Sequence, residues 1–340
     1  MPNRSAIAVA PTNIALIKYW GKRDETLMLP MNSSLSITLE AFYTRTEVTL
    51  QHPHILNPMA MDLCLLDGQP MSERDHLRIS HILDLAWELS FGNTKRPWAK
   101  VESWNHVPTA AGFASSASAY AALAGAALKA ITGSESDATQ VACLARRGSG
   151  SATRSIHGGY VKWDKGTDPE GMDSYGKQIL APEAWPIEVL AVEVNNIPKK
   201  IKSREGMRRT LETSPLYGGW LQAAESDMTE MEDAIAQRDF QRLGSVAERN
   251  ALTMHGTMLG AQPPLIYWQP ETLAVMQQVW RLRETGHLCY FTIDAGPNVK
   301  VLCPPGTAHT LTPFFEKMPE VKRVIQSGLG QGIRYETKQG

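Results

Sequence analysis

Residues 105–128 read NHVPTAAGFASSASAYAALAGAAL, and glycine, alanine and serine occupy most of these positions. Such a stretch offers few large side chains for packing, so its composition needs an explanation. Tyr120, Leu123, Leu128 and Ile131 share one helical face. The pattern predicts a helix that begins near Ser115.

The segment that precedes this helix has the composition of a phosphate-binding loop. Gly112 permits a tight turn, and the neighbouring side chains, such as Ala110 and Ala114, are too short to keep a ligand from the backbone. The first N–H groups of a helix lack internal partners and lie at its positive end, so loop and helix can hold an anion. The hydroxyls of Ser115 and Ser116 add donors. Tight helix packing explains the composition equally well, and both interpretations stay open at this point.

The composition limits the class of protein to which this chain can belong. The chain has 340 residues, 43% of them hydrophobic, which suits a soluble globular protein of two domains. Its net charge of −1 gives no overall electrostatic attraction to nucleic acid or a membrane surface, so an anionic partner requires a local cluster of cations. The four cysteines show no ligand spacing, no apolar run reaches about 20 residues, and the start of the chain lacks a signal-peptide pattern. We therefore expect a cytoplasmic protein.

Hydrophobic periodicity predicts a mixture of strands and helices without a regular βαβ rhythm, which indicates an α+β fold. Residues 148–155, which are rich in glycine and serine, are expected to form a loop, and residues 164–186 an excursion or a domain junction. Strands are expected near 5–17, 33–50, 98–104 and 187–194, with further short strands on either side of Asp294. Helices are expected near 73–90, 137–147, 203–213, 216–237, 239–256 and 271–285, with a last helix and strand closing the chain.

Two basic clusters suggest local anion binding. IKYWGKR at 17–23 contains Lys18 and Lys22, and NIPKKIKSREGMRR at 196–209 contains Arg204 among other cations. Such charged runs more often form a solvent-exposed face than a binding site. The aromatic residues within the first cluster weaken that interpretation there. Arg154 can reach a ligand from its glycine- and serine-rich surroundings, and a structural ion pair is about equally compatible with its position.

Asp294 follows an apolar strand in FTIDAGPN at 291–298 and precedes a turn of small residues. A carboxylate held rigidly beside a ligand suits a general base. The alternative is an aspartate that bonds the amides of its own turn. The nine histidines show no metal-ligand pattern, so the sequence predicts no metal site made of side chains.

Five segments together resemble the diphosphomevalonate decarboxylases of the mevalonate pathway, a branch of the GHMP kinase superfamily. The similarity runs through nearly the whole chain in order. The PxxxGxxSS pattern is typical of the superfamily's phosphate loop, and KYWGK and DAGPN are typical of the decarboxylase branch. The segments are PTNIALIKYWGKRDETLMLPMNSSLSITL (11–39), VPTAAGFASSASAYAALA (107–124), RRGSGSATRSIHGGYVKW (146–163), SREGM (203–207) and TIDAGPNVKVL (292–302).

The resemblance implies a two-domain GHMP kinase fold. Residues 1–186 would form an N-terminal domain similar to ribosomal S5 domain 2, with the phosphate loop. Residues 187–340 would form a C-terminal domain derived from a ferredoxin-like fold, built as an α/β sandwich. The active site would lie in the cleft between them. Many family members are homodimers, which implies the same here.

The resemblance also implies a reaction. The family uses ATP and Mg²⁺ to phosphorylate the 3-hydroxyl of (R)-5-diphosphomevalonate, and loss of phosphate and CO₂ then gives isopentenyl diphosphate. The implied catalytic residues are Asp294, Lys18 and Arg154. The implied substrate-binding residues are Tyr19, Lys22, Ser149, Ser151, Arg154, Arg204 and Met207. The implied nucleotide-side residues are Asn13, Ser103, Ala110, Gly112, Ala114, Ser115, Ser116 and Ser203.

Two other hypotheses remain at this point. One is a relative with the same fold that acts on phosphomevalonate or on mevalonate, and the set Tyr19, Lys22 and Arg204 favours a diphosphate instead. The other is a GHMP-fold sensor that binds a metabolite without turnover, and the presence of Asp294 beside cationic residues argues against it. Release of ADP with each mevalonate compound would separate the three.

Overall fold

The computed structural model of the chain describes residues 4–51, 61–106, 115–194 and 200–337. Its strands are β1 (Ser5–Ile17), β2 (Lys22–Asp24), β3 (Leu29–Pro30), β4 (Ser34–Leu50), β5 (Leu63–Leu66), β6 (Gln69–Pro70), β7 (Ala99–His106), β8 (Tyr160–Trp163), β9 (Gly176–Leu180), β10 (Glu188–Glu193), β11 (Tyr290–Ile293), β12 (Val299–Cys303), β13 (Arg323–Ser327) and β14 (Arg334–Glu336). Its helices are α1 (Glu73–Phe91), α2 (Ser115–Thr132), α3 (Ala138–Gly148), α4 (Ser203–Thr213), α5 (Tyr217–Gln237), α6 (Phe240–Leu259), α7 (Pro270–Glu284) and α8 (Ala308–Glu316). Two short 3₁₀ helices cover Gly150–Ser155 and Pro182–Ala184.

The first lobe is organised around the long antiparallel pair β1 and β4. The strand order is β14-β1-β4-β7-β5-β6, and β8 and β9 extend the sheet from the first part of β4. Helix α2 lies across β1 and β4, with α1 and α3 beside it, over a core of aliphatic side chains. The helix predicted from the opening segment is therefore the central helix of this lobe.

This position explains most of the small side chains in α2. Ala121 and Ala124 are fully buried, and a Cβ on Gly125 would overlap the side chain of Ile333. The packing interpretation is thus correct for the body of the helix. Its exposed residues are Ser115 and Ser116 at its start and Thr132 at its end.

The second lobe is an α/β sandwich, as the resemblance implies. Its antiparallel sheet has the order β11-β12-β10-β13, with α5 and α6 on one face and α7 and α8 on the other. Successive side chains of a strand point to opposite faces, and β12 follows this rule. Val299 and Val301 pack toward α7 and α8, and Leu302 packs toward α5 and α6.

The two lobes share a hydrophobic core in which α5 and α6 contact both sheets. The last strand, β14, returns to the first sheet and pairs with β1, from Ile7 with Glu336 to Val9 with Arg334. No helix within the described ranges is both long and apolar enough to cross a bilayer.

The structure differs from the local expectations in two places. Gly150–Ser155 forms a 3₁₀ helix instead of a loop, and its turn is closed by the Ala152 N–H, which donates to the Ser149 carbonyl over 2.8 Å. The stretch 164–186 is not wholly an excursion, because β9 pairs with β8 and belongs to the first sheet. Sequence periodicity misses both, since glycine and charged residues mask these short elements.

Candidate active site

The two lobes border a cleft of about 570 Å³. Its walls come from the end of β1 and the following turn, the start of α2, the 3₁₀ helix after α3, the start of α4 and the end of β11. The helices α2 and α4 therefore direct their positive N-terminal ends to the cleft. The predicted site residues that line it are Asn13, Lys18, Tyr19, Lys22, Ser115, Ser116, Ser149, Ser151, Arg154, Ser203, Arg204, Met207 and Asp294.

Of the four remaining predicted residues, Ser103 alone lies within the described ranges, and it does not line the cleft. Ser103 lies in β7, where its hydroxyl pairs with the Thr46 hydroxyl over 2.9 Å inside the sheet. Ala110, Gly112 and Ala114 lie outside the described residues, and so does most of the predicted phosphate loop. For these four residues a nucleotide-side role stays a prediction.

Positive charge dominates the lining. Its described carboxylates are Asp75 and Asp294. Its described cations are Lys18, Lys22, Arg74, Arg78, Arg154, Lys202 and Arg204. A cleft with this excess of cations favours a ligand that carries several negative charges.

Asp294 is held by two lysines at the floor of the cleft. Its Oδ1 accepts a hydrogen bond from Lys18 Nζ over 2.8 Å, and its Oδ2 lies 3.4 Å from Lys300 Nζ. The two lysine side chains are 2% and 1% exposed, whereas that of Asp294 is 26% exposed. The carboxylate therefore has buried cations behind it and an accessible side toward the cleft.

These contacts set the charge of Asp294. Burial alone raises the pKa of a carboxyl group, but Lys18 and Lys300 outweigh it and hold the pKa of Asp294 well below its usual range. Burial lowers the pKa of Lys18, and the attraction of Asp294 opposes that effect. Asp294 is therefore an ionised carboxylate in the cleft.

The backbone around this pair is fixed by buried polar groups. Asn250 on α6 accepts the Lys18 N–H over 2.8 Å, and the side-chain amide of Asn32 donates to the Lys18 carbonyl over 2.8 Å. His255 Nε2 lies 3.2 Å from the Asp294 carbonyl. Burial, helped by Lys18, lowers the pKa of His255 to about 3, so its ring is neutral.

Arg154 is a buried cation whose partners are neutral. Its guanidinium donates to Ser34 Oγ over 2.6 Å and to Asn13 Oδ1 over 3.3 Å, and it lies over the ring of Trp163. No carboxylate of the described residues forms an ion pair with it, although its exposure is only 2%. Burial lowers its pKa to about 10. An anion in the cleft would supply the missing counter-charge.

Asn13 belongs to the hydrogen-bond network that holds Arg154. Its amide donates to the Ser151 carbonyl over 3.0 Å and to Ser155 Oγ over 2.8 Å, while its oxygen accepts from Arg154. The resemblance implied a nucleotide-side role for Asn13. In the structure it joins β1 to the 3₁₀ helix that carries Arg154.

The KYWGK segment forms a turn that depends on Gly21. Gly21 has φ 110°, in the region that favours glycine, and a Cβ there would overlap the Tyr217 hydroxyl. That hydroxyl donates to the Trp20 carbonyl over 2.7 Å. The turn therefore fixes Lys18 and Lys22 on either side of a rigid backbone.

Tyr19 lies between this turn and the 3₁₀ helix. Its ring packs on Trp163 at 4.8 Å, and its hydroxyl has no hydrogen-bond partner among the described residues. Gly150 makes room for it, since a Cβ at that position would lie 2.7 Å from the hydroxyl. A buried hydroxyl without a partner is uncommon, and a ligand oxygen in the cleft would satisfy it.

Lys22, Arg78 and Arg204 form a second group of neighbouring cations in the cleft lining, the outer cations. Burial lowers the pKa of Lys22 and of Arg204, and each is lowered further by a neighbouring cation, Arg204 in the first case and Arg78 in the second. Lys22 has a distant partner in Glu25 at 3.7 Å. Such mutual repulsion is relieved when a polyanion binds among them.

Sequence reasoning missed Arg74, Arg78 and Lys300. The two arginines are four residues apart on α1, a spacing that predicts one shared face, but nothing indicated that this face meets the cleft. Lys300 lies inside an apolar strand, and a charged residue in such a run was a signal that could have been used.

The second basic cluster lies only partly in the cleft. Arg208 of this cluster is exposed and does not line the cleft, so the solvated-face interpretation holds for part of the cluster.

Comparison with known families decides the identity of this arrangement. A family model described as diphosphomevalonate decarboxylase-like N-terminal domain matches residues 10–176, and one described as mevalonate 5-diphosphate decarboxylase C-terminal domain matches residues 189–333. The chain belongs to the diphosphomevalonate decarboxylase family. The family predicted from the five segments is thereby confirmed.

Individual members of the decarboxylase family match over most of their length. The diphosphomevalonate decarboxylase of Ganoderma lucidum is 36% identical over 318 residues, which are 88% of this chain and 78% of the relative. The solved structure of MDDEF in complex with MVAPP, AMPPCP and magnesium is 44% identical with a TM-score of 0.88, covering 98% of this chain and 99% of that one. A structure of the mevalonate diphosphate decarboxylase from Enterococcus faecalis, which concerns mevalonate diphosphate-mediated ATP binding, is 43% identical with a TM-score of 0.86, covering 98% and 99%. The α+β GHMP kinase fold is confirmed with the family.

Proposed function

We propose that this chain catalyses the ATP-dependent decarboxylation of (R)-5-diphosphomevalonate to isopentenyl diphosphate, with ADP, phosphate and CO₂ as the other products. The observation that carries the proposal is the pairing, in one cleft, of an ionised Asp294 with a buried Arg154 that has no carboxylate partner among the described residues. A substrate with a hydroxyl and a carboxylate on neighbouring carbons suits both groups. The names of the relatives support the same reaction.

The positions of the cations suggest how the substrate lies. The outer group of Lys22 and Arg204, with the Tyr19 hydroxyl, would hold the diphosphate, whose oxygens accept several charged hydrogen bonds. Arg154 would hold the carboxylate, with Ser149 and Ser151 beside it. This places the 3-hydroxyl toward Asp294. The substrate would then supply the negative charge that the cleft lacks.

Asp294 would take the proton of the 3-hydroxyl as phosphate is transferred to that oxygen. Because its pKa lies well below the usual range, it is a weak base toward an ordinary alcohol. The hydroxyl becomes acidic only once its oxygen begins to bond to phosphorus, so the proton would move late in a loose transition state. Asp294 would thus orient the hydroxyl first and accept its proton second.

The second stage follows from the same contacts. The C3–O bond breaks as phosphate leaves, and the electrons of the C–CO₂ bond form the new double bond. The negative charge of Asp294 would stabilise the positive character at C3. Arg154 would keep the carboxylate aligned until it departs as neutral CO₂.

The described residues also suit a nucleotide. Ser115 and Ser116 are exposed in the first turn of α2, and the Ser116 hydroxyl lies 3.4 Å from that of Ser149 at the substrate side. Helix start and hydroxyls together suit phosphate oxygens. The described residues contain no group of three His, Cys, Asp or Glu side chains suited to a metal. Mg²⁺ would therefore be held mainly by the phosphate oxygens and water, and it would neutralise phosphate charge.

Purified protein with ATP, Mg²⁺ and diphosphomevalonate tests this proposal. We expect ADP, phosphate and CO₂ in equal amounts, and little turnover of phosphomevalonate or mevalonate. Faster turnover of the monophosphate would instead indicate a relative with changed substrate. No ADP release with any of the three compounds would indicate a binding protein without this activity.

We also propose the remaining organisation from the resemblance. Residues 1–186 and 187–340 would be the two domains, with β14 completing the first sheet. The protein would be a cytoplasmic homodimer, and four free cysteines suit a reducing compartment. Light scattering of the purified protein tests the dimer.

A further inference from the structure

Lys300 is a lysine in the interior of a sheet. It lies in the middle of β12 and pairs with Ala191 of β10 on one side and with Thr292 of β11 on the other. By the alternation of the strand it shares the face of Leu302, toward α5 and α6. Its exposure is 1%.

Such a position is unfavourable for an ammonium group unless an anion compensates it. The anion near Lys300 is Asp294, whose Oδ2 lies 3.4 Å from its Nζ, and its Nζ also donates to the Asn298 carbonyl over 3.3 Å. Lys18 and Arg154 add two further positive charges close enough to influence one another. An apolar side chain would fit the strand pattern better, so packing does not account for a lysine here.

The geometry explains what Lys300 adds to Lys18. Lys18 follows β1 of the first sheet and binds Oδ1, whereas Lys300 belongs to the second sheet and faces Oδ2. One contact alone would leave the carboxylate free to rotate about its bond to Cβ. Two contacts on different oxygens, from different lobes, fix the plane of the carboxylate.

We propose that Lys300 is a positioning residue, which fixes the orientation of the Asp294 carboxylate between the two lobes. The inference rests on the proposed function for its effect on turnover. Lys300 itself is buried behind Asp294 and is absent from the cleft lining, so it acts through Asp294 and does not bind the substrate. Its loss should therefore affect turnover more than affinity.

The variant Lys300→Met removes the charge and keeps much of the volume. We expect kcat to fall roughly tenfold, because the carboxylate loses one of its two orienting contacts, while the KM values for ATP and diphosphomevalonate change by less than about threefold. Thr292→Val is the matched control, since Thr292 is the cross-strand neighbour of Lys300 and is equally buried. It should keep kcat within about threefold of wild type.

A double-mutant cycle with Asp294→Asn tests whether Lys300 acts through Asp294. In the Asp294→Asn background, Lys300→Met should cause no further loss of kcat. A further tenfold loss there, or a raised KM with intact kcat, would overturn the proposal.

The unfolding temperatures of the same four proteins give a readout that needs no turnover. Lys300→Met should raise Tm in the Asp294→Asn background, or lower it less than it does in wild type. In that background the substitution removes a buried ammonium group that has already lost the Asp294 anion. Equal Tm changes in both backgrounds would overturn the proposal even if the enzyme were inactive. Absence of wild-type turnover would count against the proposed function alone.

Discussion

Replacing Arg154 by methionine should weaken substrate binding at least about tenfold while it changes the stability of the free protein little. A buried side chain with two hydrogen bonds normally contributes to stability, so the expectation is unusual. It follows from the charge of Arg154, which is buried and forms no ion pair with a carboxylate of the described residues. Methionine fills a similar volume and carries no charge.

The expected magnitude can be worked from the contacts. Burial lowers the pKa of Arg154 from 12.5 to about 10, and at about 1.4 kcal/mol for each pKa unit the buried charge costs about 3 kcal/mol. A cation with a lowered pKa destabilises the folded state at every pH below that pKa, so the full cost applies at neutral pH. The variant loses two hydrogen bonds from a charged donor, to Ser34 and to Asn13, at about 1.5 kcal/mol each. We therefore expect the free energy of unfolding of Arg154→Met to lie within about 1 kcal/mol of that of wild type.

Arg146→Met is the control, because Arg146 is also 2% exposed. Its guanidinium donates to the backbone carbonyls of Leu27, Gly171 and Ser174, which would lose their partner. This variant should be destabilised by at least about 2 kcal/mol.

Urea unfolding, with and without diphosphomevalonate, measures both effects. Arg154→Met should lose the stabilisation by substrate and raise the KM for diphosphomevalonate at least about tenfold, the loss expected for a charged hydrogen bond. If Arg154→Met is destabilised as much as Arg146→Met while its KM stays normal, Arg154 is a structural residue and the substrate orientation is wrong.

Four other variants probe the remaining parts of the site and the fold around it. Lys22→Ala and Arg204→Ala should each weaken diphosphomevalonate binding by about 1.5–3 kcal/mol and phosphomevalonate less, and equal losses in a binding assay would remove both residues from the diphosphate subsite. A Cβ on Gly150 would lie 2.7 Å from the Tyr19 hydroxyl, so Gly150→Ala should raise the KM for diphosphomevalonate but not for ATP, and steady-state kinetics with both substrates decides it. His255, whose pKa is lowered to about 3, stabilises the fold above the pKa of about 6.5 in the unfolded chain, and this contribution is lost as pH falls from there toward 3. Unfolding of His255→Asn at several pH values should show less acid sensitivity in this window, and an unchanged profile would mean that other groups cause it.

Periodic elements were the part of the fold that could be predicted from sequence. The helices α3, α4 and α5 lie within one residue of the predicted bounds, because amphipathic spacing identifies a helix wherever one face is buried. The 3₁₀ helix at Gly150–Ser155 was missed, since it is held by long-range contacts such as that from Asn13. The return of β14 to the first sheet was also outside what local patterns can indicate.

The candidate site was also only partly predictable from the sequence. Asp294, Lys22 and Arg154 could be predicted as site residues from the sequence, because each lies in a recognisable motif. The partners that determine their chemistry could not be chosen, because contact between Asp294 and Lys300 or between Arg154 and Ser34 depends on how distant strands meet. The low pKa of Asp294, and with it the late proton transfer, follows only from that tertiary arrangement.

The most direct test of the account compares wild type with Asp294→Asn in turnover and in ligand binding. The variant leaves two buried lysines without their anion, so Tm should fall, and the assay must be run well below it. The account predicts that the affinities for ATP and diphosphomevalonate change little. Release of ADP and of CO₂ should fall together by about 10²–10⁴-fold, the range for a single general base. Turnover close to that of wild type, or loss of both ligands in a folded variant, would contradict the account.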